Sequence, residues 1–186
     1  MIAAASSELL YPLSRFCEDG GHALPSCEVV EGETLPEPYR SLLVHRGDMT
    51  SRLESFHGGA IFIEVRHQEH TPEAYRREVV LRVEATGLGV EYGAIEIELS
   101  AFEGELRQLI LEEHLPLGGL LNRFGIRYRS EPRAFIRLGD DVVMQRVFET
   151  PRAHEFFGRC NVLLGENDRV LARIVEVLRP VEKAQS

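Results

Sequence analysis

An α+β fold, with one antiparallel sheet of about six strands and helix-turn-helix flaps packed on one face or at its ends, follows from three features of the sequence. Stretches 60–66, 75–83 and 91–99 alternate apolar and polar residues with a period of two, and the segments joining them are too short for a crossover helix, so neighbouring strands run antiparallel. Two other stretches, 34–57 and 100–125, switch to helical spacing, and each is interrupted by glycine or proline. Finally, apolar runs flank Gly139-Asp140-Asp141 and again Gly165-Glu166-Asn167-Asp168, the composition of hairpin turns.

Taken in order, residues 1–33 offer little pattern: Leu9, Leu10 and Phe16 suggest a short helix, and Gly20-Gly21 and Pro25 a loop that packs on the sheet. Thr34 and Glu37 have capping-box spacing before Tyr39, Leu42 and Leu43, a helix that Gly47 should end. Asp48 is placed to cap a second helix whose stripe is Met49, Leu53 and Phe56, stopped by His57-Gly58-Gly59. In 60–66, Ile61, Ile63 and Val65 oppose Glu64 and Arg66; in 91–99, Ile95, Ile97 and Leu99 point inward and Glu96 and Glu98 outward. Ser100 and Glu103 form another capping box ahead of Phe102, Leu106, Leu109 and Ile110, and Pro116-Leu117-Gly118-Gly119 separates a further short helix ending at Gly125. Stretches 132–138 and 142–148 read as one hairpin, 159–164 and 169–178 as another, and Pro180 closes the last strand before a tail, 181–186. At 186 residues, 44% of them hydrophobic, a single domain over 1–186 is the expectation.

The formal net charge of −9 argues against nucleic acid or an anionic membrane as a partner, and no DNA-binding segment is recognisable. Any anionic ligand must be met by a local arginine. No apolar run approaches the roughly 20 residues of a membrane span, the start has no leader pattern, and a cytoplasmic protein is expected. Cys17, Cys27 and Cys160 are an odd number without C-x-x-C spacing, which suits free thiols in a reducing compartment; Cys17, His22 and Cys27 match no zinc pattern, so no metal is expected. Arg46-Gly47-Asp48 reads as a helix break followed by an N-cap.

Two charges break the strand pattern. Arg77 shares a face with Tyr75, Val79, Leu81 and Val83, and Glu176 shares one with Val170, Ala172, Ile174 and Leu178. A buried charge left alone is expensive, so these groups must meet each other, other polar groups or a ligand. An arginine forks onto a carboxylate, and a buried glutamate can hold a raised pKa and exchange protons. A break such as Pro116-Leu117-Gly118 can offer N–H groups to an anion. There is no G-x-S-x-G elbow, Walker loop, G-x-G-x-x-G or H-E-x-x-H. The inventory suits a small carboxylate ligand, or equally an ion pair that only holds a core together.

Several short motifs, in order, resemble the chorismate lyase family: Leu35-Pro36-Glu37-Pro38 through His45-Arg46-Gly47-Asp48-Met49-Thr50, Arg77-Glu78-Val79-Val80-Leu81, Val90-Glu91-Tyr92-Gly93, Pro116-Leu117-Gly118, Phe157-Gly158-Arg159 and Val175-Glu176-Val177-Leu178-Arg179-Pro180. The resemblance covers roughly 35–180. It implies a cofactor-independent lyase that converts chorismate to 4-hydroxybenzoate and pyruvate in a site enclosed by helical flaps. It also implies that Arg77 and Glu176 are catalytic, Arg77 gripping the carboxylate and Glu176 lying near the ring hydroxyl as acid, base or simple anchor. Met49 and Leu117 then line the substrate from the flaps. Arg159 belongs to one of the motifs and is open between a site residue and a structural one. Between Pro116-Leu117-Gly118 and Phe157-Gly158-Arg159 the chain is longer than the best-known lyases, with the 132–148 hairpin as the expected excess. Alternatives are a non-catalytic binding module for a hydroxybenzoate-like aromatic acid, since effector-sensing domains share the fold, and a lyase acting on a related enolpyruvyl carboxylate.

Overall fold

The computed structural model describes residues 7–112, 115–151 and 153–181; the tail beyond Val181 lies outside them. Seven strands, β1 (Cys27–Val30), β2 (Ile61–His70), β3 (Ala74–Val83), β4 (Gly89–Glu98), β5 (Arg129–Leu138), β6 (Phe156–Leu164) and β7 (Val170–Leu178), form one sheet. Their order is β1-β5-β6-β7-β4-β3-β2, and every pairing is antiparallel. The helices are α1 (Leu13–Asp19), α2 (Tyr39–Leu43), α3 (Met49–His57), α4 (Gly104–Leu111), α5 (Leu117–Arg123) and α6 (Val142–Val147).

The fold is the α+β sheet the alternating stretches predict, with two corrections to its parts. The expected second strand of the 132–148 hairpin is helix α6: Asp141 accepts a hydrogen bond from Met144 N at 2.8 Å, and Met144, Val147 and Phe148 are buried at i, i+3 and i+4, a helical period. In its place the sheet gains β1 from the N-terminal stretch. Cys27–Val30 is too short to show alternation, and it pairs with β5 from Cys27 opposite Leu138 to Val30 opposite Phe135.

Local signals are resolved in different ways. Asp48 caps α3 by accepting from Ser51 N at 2.8 Å, and Gly58 at φ 67° takes the left-handed turn that ends it. The helix before it stops at Leu43, short of Gly47. Strand β2 runs on to His70, beyond the alternating stretch 60–66 and into the segment that joins it to 75–83. The Ser100 capping box does not form; Ser100 lies in a 3-10 turn and donates to Glu98 at 2.8 Å, and α4 begins at Gly104.

Helices were expected on one face or at the ends, but both faces are covered, because the central strands are buried on both sides. On one face α1 and α6 pack with Val80, Tyr92, Ala94, Val175 and Val177 into a continuous core. The other face carries two separate cores. Leu42, Leu43, Met49 and Leu53 of α2 and α3 cover Val79, Leu81 and Leu178. Leu106, Ile110, Leu117, Leu120 and Leu121 of α4 and α5 cover Tyr75, Ile95 and Leu163. The gap between them is where the inward charges lie. No helix among the described residues is long and apolar enough to cross a membrane.

Candidate functional site

The floor of that gap follows from strand register. Arg77 stands opposite Ile95, which stands opposite Ile174; Val79 stands opposite Gly93, which stands opposite Glu176, which stands opposite Arg159. One register step further, Leu81 stands opposite Glu91 and Glu91 opposite Leu178. Gly93 is needed in the middle of this floor, since β4 and β7 approach so closely that a Cβ there would overlap the Val175 carbonyl oxygen. The result is a small cavity of about 90 Å³.

Its lid comes from the two helical pairs. The 47–50 segment, leading into α3, and the 116–118 segment, opening α5, both line the cavity, and they meet at Gly118, where a Cβ would overlap the Asp48 carboxylate. The structure thus places Met49, Arg77, Leu117 and Glu176 around one cavity, the first two 5% and 3% exposed.

Arg77 and Glu176 are both buried, as the face analysis requires, but Glu176 pairs with Arg159 rather than with Arg77. Arg159 Nε donates to Glu176 Oε2, while its Nη1 donates to the carbonyl oxygens of Leu43 and His45 at 3.1 Å each, which ties β6 to the turn leading into the lid. Burial and the Arg159 and Arg52 charges push His45 down to about 4, so its imidazole is neutral near pH 7. Arg77 Nη2 donates to the Leu115 carbonyl oxygen at 3.3 Å, just before the α5 lid, and its guanidinium lies 5.9 Å from the Tyr75 ring centre. Asn161 and Ser130, hydrogen bonded to each other at 2.9 Å, close the cavity wall on the β5–β6 side.

The residue that sequence reasoning missed is Glu91. It is 4% exposed, lines the cavity, and its Oε2 has no hydrogen-bond partner among the described residues. Burial, and then the neighbouring charge of Glu176, hold its carboxyl well above the usual carboxylate range, against the opposing pull of Arg159. The signal was present: Glu91 has the inward parity of Ile95 and Ile97. Arg159, left open by the motif alone, is 1% exposed and central to the site's electrostatics.

No family model matches the chain, and no curated protein matches it in sequence. Among solved structures it is similar to the effector domain of PhnF from Mycobacterium smegmatis, at 14% identity and a TM-score of 0.55, covering 74% of this chain and 96% of that domain. Against the crystal structure of PhnF the values are 14% and 0.57, with 73% of this chain and 65% of the other covered, so the chain spans about two thirds of that protein's length. A ligand-binding domain of a putative GntR-family transcriptional regulator from Bordetella bronchiseptica is a more distant match, at 12% identity and a TM-score of 0.47 over 64% and 84%. At these identities the likeness establishes the fold. The expectation of a chorismate lyase does not stand: the solved structures the chain is similar to are PhnF, its effector domain and, more distantly, domains of GntR-family transcriptional regulators. Glu176, which the resemblance casts as acid, base or simple anchor, has its Oε2 engaged by the Arg159 guanidinium.

Proposed function

We propose that this chain is an effector-sensing domain that binds a small carboxylic acid of the hydroxybenzoate type without transforming it. The observation that carries the reading is the placement of the buried Arg77 in the wall of an apolar cavity closed by two helical lids. A guanidinium in such a wall offers a fork to a carboxylate, and exclusion of water strengthens the contact. Ile63, Val79, Leu81, Ile95, Leu163 and Ile174 present apolar surface for a ring, and Met49 and Leu117 close over it from the lids. The likeness to an effector domain supports binding, and the described residues supply the sheet, both lids and the cavity. A ligand that orders both lids together would change the surface they present, which is how such a domain signals to whatever it is joined to.

Calorimetric titration of the chain with 4-hydroxybenzoate and benzoate tests the reading. Saturable binding that Arg77→Ala weakens by at least about tenfold is expected, the value of one charge-assisted contact. Equal binding by Arg77→Ala, or release of pyruvate from chorismate above the spontaneous rate, would overturn it.

A further inference from the structure

We propose that Glu91, rather than Glu176, reads the far end of the ligand, so that the cavity takes carboxylic acids whose opposite end carries a hydroxyl or amino group able to donate to it. This rests on the acid-binding reading above and adds to it the group that sets specificity.

Three observations converge on Glu91. Glu176 Oε2 already accepts from Arg159 Nε, and Arg159 Nη1 runs to Leu43 and His45, so this side of the pair is engaged within the protein. Glu91 Oε2, by contrast, is buried in the cavity wall with no hydrogen-bond partner among the described residues, an arrangement that costs stability unless a ligand supplies the missing donor. The charges on this side are also lopsided: Asp48, Glu91 and Glu176 are three acids acting with the single guanidinium of Arg159. Such a surplus of acids favours an N–H or O–H on the ligand and disfavours a second carboxylate.

The spacing fits one ring. Arg77 and Leu81 are four residues apart on β3, and Glu91 stands opposite Leu81, so about 13 Å of sheet separates the two ends of the cavity. Between them the floor is Val79, Gly93 and Ile95, flat and apolar, with Gly93 contributing no side chain. An aromatic acid with its carboxylate toward Arg77 therefore directs its para substituent toward Glu91.

The test is a titration of the full chain with 4-hydroxybenzoate, 4-aminobenzoate, 4-methoxybenzoate and 4-methylbenzoate, repeated with Glu91→Leu, Glu91→Gln and Glu176→Gln. The two donor-bearing acids are expected to bind at least about tenfold more tightly than 4-methylbenzoate, because a buried polar group left unpaired discriminates strongly against an analogue that cannot pair with it, and a 4-methoxybenzoate that binds as weakly as the methyl acid marks Glu91 as an acceptor. Glu91→Leu should erase that preference while still binding 4-methylbenzoate, and Glu91→Gln, which keeps an acceptor, should retain part of it. Should the leucine variant fail to fold, the partial preference in Glu91→Gln and full preference in Glu176→Gln still decide. Equal affinity for all four acids would overturn the inference and leave acid binding intact. A preference lost only in Glu176→Gln would return the role to Glu176. No binding of any of the four would overturn both readings.

Discussion

Glu78 and Glu91 are both buried carboxyls near the middle of the sheet, on adjacent strands, and they face opposite ways. Glu78 points to the side covered by α1 and α6, where Tyr92 Oη donates to its Oε1 at 2.6 Å and the His67 ring meets its Oε2. Both oxygens are engaged, although Glu78 too lines a cavity, of about 300 Å³, beneath α1 and α6. Glu91 points to the lid side, where the core is split in two, and its Oε2 has no hydrogen-bond partner among the described residues. The two faces use the same residue type for different ends: a carboxyl whose partners are all in the chain holds structure, and one missing a partner marks a place for something else.

The sharpest way to break this contrast is to remove a partner from a completed buried pair. Arg159→Met leaves Glu176 without its guanidinium and takes one donor from each of the Leu43 and His45 carbonyl oxygens, and should lower stability by about 3–5 kcal/mol in denaturant melts. A loss under 1 kcal/mol would mean that water replaces the arginine and that the pair is less enclosed than its burial implies. Next in size, Tyr92→Phe removes one donor from the Glu78 network at a cost of about 1–3 kcal/mol, with no effect on ligand binding across the sheet. A variant that lost binding as strongly as stability would couple the two faces. Smallest in effect, Glu91→Leu should change stability by less than about 1 kcal/mol or raise it, since an apolar side chain of similar size replaces a carboxyl with an unpartnered oxygen.

The pH dependence sharpens the same comparison. Glu91 is held above the usual carboxylate range in the folded chain, so between its unfolded and its folded pKa the unfolded chain has released a proton that the folded chain keeps. Stability therefore falls as pH rises through that window. Glu91→Gln removes the slope, and its stability relative to the parent should grow with pH above the ordinary carboxylate range; a constant difference would place Glu91 outside the desolvated set. His45 has the opposite sign: pushed down to about 4, it contributes stability that is present above 6.5 and lost as pH falls toward 4. Melting the parent and His45→Gln across pH 4–7 should show the variant losing less stability on acidification.

Alternation by itself determined that 60–66, 75–83 and 91–99 are strands of an antiparallel sheet and that Arg77 and Glu176 point into the protein, because the period of a strand assigns each side chain to a face whatever packs on it. Capping chemistry likewise placed the start of α3 at Asp48 from a single residue. What parity cannot say is which inward group meets which. The pairing of Glu176 with Arg159 depends on β6 lying between β5 and β7, a contact across strands whose order only the folded sheet sets. The same is true of β1, four residues with no periodicity, and of α6, where an apolar run compatible with a strand became a helix once Asp141 capped it and Met144, Val147 and Phe148 found a core to enter. The open cavity is also a tertiary outcome. It exists because two short helical pairs cover the ends of one sheet face and Gly93 leaves the middle bare, so Glu91, inward by parity alone, ends beside a space instead of a partner.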